Sequence, residues 1–269
     1  MKILLASAAV ALTAPFLIAD AEAGAVRFDL GLTETLAPND DGSSASVEIG
    51  FTVNFFGNVD DTLFVNNNGN ITLDQALSTF TPFDLTSTNT EIIAPFFADV
   101  DTRGTGTVTY GQTMVDGRAA FAVTYDEVGY FSSGTDRLNT FQVVLIDRSD
   151  TGEGNFDIEF NYDQIQFETG GASGGQGGLG GNSARVGFSN GTGVEGTFFE
   201  LAGSAVNGAF LDGGSLALIA NMLNSDVAGR YVFEARNGDI ITGEVPLPGA
   251  ALFLVTGAAG LAAARRRKA

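Results

Sequence analysis

Asp99 and Asp101, in the stretch FFADVDTRGTG, come nearest by spacing to recognisable chemistry. Carboxylates at i and i+2 open a calcium loop, and on a strand they point to one face. Arg103 occupies the position where such a loop needs its third oxygen. Two readings stay open: a calcium ion held by Asp99 and Asp101, or a polar turn in which they pair with Arg103. Two further matches follow from glycine content alone. Gly171-Ala172-Ser173-Gly174-Gly175 fits the G-x-S-x-G of a nucleophile elbow, and Gly175 to Gly180 fits G-x-G-x-x-G. Both need a strand before and a helix after, and the elbow also needs a histidine. The chain has no histidine and no cysteine, which removes the commonest general base, thiolate metal sites and disulfides. Acids are plentiful enough for two-carboxylate glycoside hydrolysis, but no spacing selects a pair. The expectation is a non-enzymatic protein with no cofactor beyond that calcium ion.

The elements that would position these residues read as strands. Phe156, Ile158, Phe160 and Tyr162 alternate with Asp157, Glu159, Asn161 and Asp163, which predicts one apolar and one wet face. Phe51, Val53 and Phe55 alternate with polar residues, as do Phe121, Val123 and Tyr125 with Ala122, Thr124 and Asp126. Phe141 to Ile146 (FQVVLI) suits a buried strand, and Tyr231 to Glu234 a last one. Asn68-Gly69 and Asp116-Gly117 mark hairpins, with further turns at Asn190-Gly191 and Asn237-Gly238. Only Ser215 to Asn224 (SLALIANMLN) reads as a short helix, and Gly170 to Gly181 reads as a mobile loop. The fold class is all-β: an antiparallel β-sandwich or barrel-like body, with an N-terminal signal helix and a short C-terminal apolar helix.

The two ends differ from this body. Lys2, the apolar run Ile3 to Ile18 and the Ala21-Glu22-Ala23 triplet form an export signal, with cleavage expected after Ala23. Ala19-Asp20-Ala21 is a second possible cut. The chain therefore divides into a signal peptide at 1–23, a β-rich body at 24–244 and a tail at 245–269. In the tail, Ala250 to Ala264 carries no charge and is shorter than the roughly 20 residues that span a bilayer core. Arg265, Arg266, Arg267 and Lys268 follow as a basic stop that stays cytoplasmic. Between the ends lie eight arginines, no lysine and 30 of the 32 acids, a net charge of 8 − 30 = −22. Such a body repels nucleic acid and anionic membrane surfaces.

Two family resemblances add to these readings. Val245-Pro246-Leu247-Pro248, the apolar segment and the basic cluster resemble the PEP-CTERM sorting signal of Gram-negative bacteria, with Leu247 where glutamate is usual. The resemblance implies processing by signal peptidase and an exosortase. It also implies transient contact with the inner membrane and transfer to the cell surface or release. The body resembles the nidogen-like extracellular domain, NIDO, over roughly residues 50–205. The segments that carry it are LFVNNNGNITL (63–73), IIAPFFADVDTRGTGTVTY (92–110), FQVVLIDRSDTGEGNFDIEFNYDQIQFETG (141–170), ARVGFSNGTG (184–193) and ELAGS (200–204), in the family's order. Phe97 and Phe167 stand where the family tends to have tryptophan. This resemblance implies a module of matrix and adhesion proteins without established catalytic residues. The function expected is an exported matrix or adhesion protein associated with exopolysaccharide or biofilm. Its partners would be polysaccharide or matrix components and not nucleic acid. The alternative is a carbohydrate- or calcium-binding extracellular module.

Overall fold

The computed structural model describes residues 24–242. The signal helix with Ala21 and Ala23, the Val245–Pro248 motif, the C-terminal apolar helix and the Arg265–Lys268 stop all lie outside the described residues. Among the described residues no helix is long and apolar enough to cross a membrane. After a single 3-10 turn at Phe28–Leu30, the body is all strand. In chain order these are β1 (Glu34–Leu36), β2 (Val47–Phe55), β3 (Asn58–Asn66), β4 (Asn70–Thr72), β5 (Glu91–Phe97), β6 (Val100–Asp101) and β7 (Thr107–Val115). There follow β8 (Arg118–Tyr130), β9 (Asn139–Asp147), β10 (Phe156–Ile165), β11 (Arg185–Asn190), β12 (Phe198–Glu200), β13 (Arg230–Arg236) and β14 (Asp239–Ile241).

The strands form two antiparallel sheets, so the sandwich form of the expectation holds. One runs β1-β7-β8-β9-β10-β13-β14 with β6 paired to β8, and the other runs β12-β11-β5-β4-β3-β2. Local turn chemistry sets the hairpins. Asp116 and Gly117, at φ 50° and 78°, join β7 to β8, and Asn237 and Gly238, at 55° and 86°, join β13 to β14. Positive φ at both central positions is the type I′ geometry that matches strand twist. Aromatic rings then lock the layers together. Phe188 of β11 meets Phe233 of β13 edge-on at 5.1 Å, and Phe96 of β5 lies 5.3 Å from Phe141 of β9. Phe97 and Phe167 are both fully buried. Phe97 packs on Phe83 at 5.0 Å, and Phe167 on Tyr130 at 5.5 Å, so phenylalanine fills these places without an indole.

Three expectations need correction. The outer face of β10 is not wet: Glu159 and Asn161 are buried. Arg27 and Arg230 lie over them, donating to Glu159 Oε1 at 2.8 Å and Asn161 Oδ1 at 3.0 Å. Leu30 and Leu32 of the same N-terminal segment cover Val115, Ala120, Ala122, Val144 and Ile146, which is why β9 is buried on both faces. Ser215 to Asn224 is not a helix but a series of turns. Its backbone groups bond outside the segment: Leu218 N donates to Phe210 O at 3.3 Å, Leu223 N to Arg230 O at 3.1 Å, and Leu218 O accepts from the Tyr231 hydroxyl at 3.3 Å. Gly170 to Gly181 is not a loose loop. Successive turns close it on itself (Gly175 N to Gly170 O, 3.0 Å) and on the sheet end (Gly171 N to Phe131 O, 2.9 Å; Glu168 N to Gly178 O, 2.9 Å).

Glu91, at the start of β5, is buried and accepts one hydrogen bond from Asn58 Nδ2 at 3.0 Å. Burial pushes its carboxyl up to about 7, against the Asn58 bond that favours the charge. A group raised on folding contributes most when protonated in both states, so its contribution declines as pH rises from about 4.5 to about 7. Glu91→Gln is therefore expected to be more stable than the parent by about 1–3 kcal/mol at pH 8 and equal to it at pH 4. Urea unfolding at the two pH values checks this; an equal difference at both would contradict it.

Candidate functional site

The buried asparagine run Asn66-Asn67-Asn68 organises one end of the sandwich. Asn67 Nδ2 donates to Asp40 O at 2.6 Å and Val100 O at 2.8 Å, and its Oδ1 accepts from the Thr102 hydroxyl at 3.1 Å. Asn68 Oδ1 accepts from Val100 N at 2.9 Å, while its Nδ2 donates to Asp41 Oδ1 at 2.9 Å. Thr102 N in turn donates to Asn39 O at 2.9 Å. Within the connection itself, Asn39 Oδ1 accepts from Gly42 N at 2.6 Å, the closure expected of an Asn-Asp-Asp-Gly turn. The β1–β2 connection is thus fixed against the short β5–β6 turn that carries Asp99.

The two aspartates singled out by spacing have different surroundings. Asp101 is turned to Arg103, which grips it with Nε at 2.8 Å from Oδ1 and Nη2 at 2.6 Å from Oδ2; the backbone N of Arg103 at 3.0 Å and Ser133 N at 2.8 Å donate as well. Burial raises the Asp101 carboxyl, but these bonds outweigh it and hold the group below its ordinary value. The pairing with Arg103 is therefore the reading that fits Asp101. Asp99 is instead grouped with Asp40 and Asp41, one oxygen of each lying within 4.8 Å of the others. Its Oδ2 accepts from Ser173 N at 3.2 Å. Asp99 Oδ1 and Asp40 Oδ1 are buried without a hydrogen-bond partner among the described residues. Burial, reinforced by the neighbouring carboxylates, pushes Asp40 and Asp99 each up to about 6.

These three carboxylates are oxygen donors only, suited to a hard cation. Asp40 and Asp41 were not picked out by spacing, because they reach Asp99 through the fold. The signal available was the acidic pair inside the turn sequence PNDDG. Ser173, the serine of the G-x-S-x-G match, is buried, and its hydroxyl lies 3.0 Å from that of Thr81 and 3.4 Å from Phe80 O. No nucleophile is assembled there.

The family model of the nidogen-like domain matches residues 61–237, further toward the C-terminus than the segments that carry the resemblance. Alpha-tectorin of Mus musculus is 36% identical over 227 residues, covering 75% of this chain and 10% of that protein. Alpha-tectorin of Homo sapiens shows the same identity and coverage, and Nidogen of Drosophila melanogaster is 28% identical over 230 residues, 74% of this chain and 15% of that protein. The chain spans about a tenth of the length of the first curated relatives it matches. No solved structure matches it significantly.

Proposed function

We propose, since this chain belongs to the nidogen-like domain family, that it is an exported matrix or adhesion protein of a Gram-negative bacterium. It is held briefly at the inner membrane, processed by an exosortase at its PEP-CTERM-like tail, and passed to the cell surface or released. There it associates with exopolysaccharide or biofilm material. The observation that carries this reading is a nidogen-like module set between an export signal and a sorting tail in one chain.

Further features support it. The residues that follow the expected cut at Ala23 are packed into the body: Ala25 and Val26 are buried, Val26 N donates to Asp163 Oδ1 at 3.0 Å, and Arg230 Nη2 to Ala25 O at 3.0 Å. The strongly acidic body suits a compartment free of nucleic acid. Val245-Pro246-Leu247-Pro248 lies between the body and the apolar segment, where a processing enzyme would cut a halted chain.

The reading predicts that deleting the gene lowers both cell aggregation and the polysaccharide retained in the matrix. The full chain restores both, and a chain lacking residues 245–269 does not. Unchanged aggregation and retention after deletion would overturn the adhesive role.

A further inference from the structure

We propose that Asp40, Asp41 and Asp99 form a calcium site where the β1–β2 connection lies against the β5–β6 turn. Three carboxylates within 4.8 Å of one another would be unremarkable on an open surface. Here Asp99 is only 1% exposed, and its Oδ1 has no donor among the described residues. Asp40 Oδ1 is in the same condition. Leaving charged oxygens buried, unpaired and beside like charges is costly, and a bound cation removes all three penalties together.

Arg103 does not fill this role. Its fork is committed to Asp101, and it touches the cluster only through Asp40 Oδ2 at 3.0 Å. Of the four carboxylates gathered here (Asp40, Asp41, Asp99, Asp101), the Arg103 ion pairs among the described residues thus reach two, Asp101 and Asp40. The donors are all oxygen, with neither imidazole nor thiolate available in the chain, which selects a hard ion. The spacing suits one calcium ion with oxygens at about 2.4 Å, and three carboxylates supply between three and six of its six to eight ligands. Magnesium is less suited, because it demands a regular octahedron and keeps its water. The frame is already rigid: Asn67 holds the Asp40 backbone, Asn68 holds Asp41, and Ser173 of the glycine-rich segment holds Asp99. The ion would therefore join the β1–β2 connection, the β5–β6 turn and the glycine-rich segment.

The site is read from the geometry of this chain and does not depend on the matrix role; a secreted, adhesive protein without a calcium response would overturn this inference alone. The test is to strip the protein purified from cells with EDTA. Calcium chloride, and separately magnesium chloride, are then titrated while heat of binding and thermal unfolding are followed. Calcium is expected to bind one per chain with a Kd of about 1 mM or tighter, and to raise Tm by several degrees through mass action. Asp99→Asn, which can keep the Ser173 bond, should lose at least about tenfold in affinity while its Tm in EDTA stays at or above the parent's. Asp41→Asn serves if Asp99→Asn fails to fold, and the exposed control Asp239→Asn should respond as the parent does. Absence of binding, a full response in either cluster variant, or a magnesium response equal to that of calcium would overturn the assignment.

Discussion

Gly69→Ala is expected to remove most of the folded population. Gly69 sits at φ +75°, where a side chain is disfavoured, and an added Cβ would overlap the carbonyl oxygen of Phe96. That neighbour is backbone in a central strand and cannot yield. Phe96 N donates to Gly69 O at 3.2 Å, and the Phe96 ring is wedged between Phe141 and Phe167. Relief would require β5 to move away from the β3–β4 turn, against the core. The expected loss is above about 4 kcal/mol, from left-handed strain of about 1–2 kcal/mol plus the displaced strand. Gly57→Ala provides the calibration. Gly57 has a similar φ of +93° but nothing within 4 Å of an added Cβ, so only the strain of about 1–2 kcal/mol applies. Urea unfolding of both variants checks the pair; equal losses would show that the contact with Phe96 is not what demands glycine.

The second large effect is expected at Glu159. Its side chain is 5% exposed and accepts from Arg27 Nε at 2.8 Å and from Asn161 Nδ2 at 2.6 Å, with Arg230 Nε at 3.4 Å. Replacement by alanine leaves two half-buried guanidinium groups side by side with no carboxylate between them. Breaking a buried charge pair from one side costs about 3–5 kcal/mol, and partial exposure of the arginines reduces this to about 2–4 kcal/mol. The consequence is also local. Arg27 belongs to the segment that seals the outer face of β8 and β9 through Leu30 and Leu32. Glu159→Ala should therefore open residues 24–33 to limited proteolysis well before the sheets unfold. A variant with parental stability and no new cut would contradict this role.

Much of the sandwich was legible because its signals are local. The alternation from Phe156 to Tyr162 became β10, and Asp116-Gly117 became a tight hairpin because both residues tolerate positive φ. What stayed hidden depends on partners far along the chain. Glu159 and Asn161 read as solvated because nothing nearby in sequence shows that Arg27 and Arg230 will cover them. The helix read at Ser215 to Asn224 had the right composition, but Phe210, Arg230 and Tyr231, all outside it, take up backbone groups of Leu218 and Leu223. The same limit applies to the acidic site. Asp99 was marked by its spacing to Asp101, yet the residues that join it come from Asp40 and Asp41, while Asp101 is satisfied by Arg103. Strand spacing fixes which side chains share a face, but not which loop is folded over that face.

The export and sorting of a nidogen-like body is tested most directly by recovering the protein from separated cell fractions and measuring the mass of both its ends. The expected result is a surface or secreted species that begins at Gly24 and lacks Arg265–Lys268, having been cut near Pro246-Leu247-Pro248. A cytoplasmic species that begins at Met1 and retains Arg265–Lys268 would contradict it.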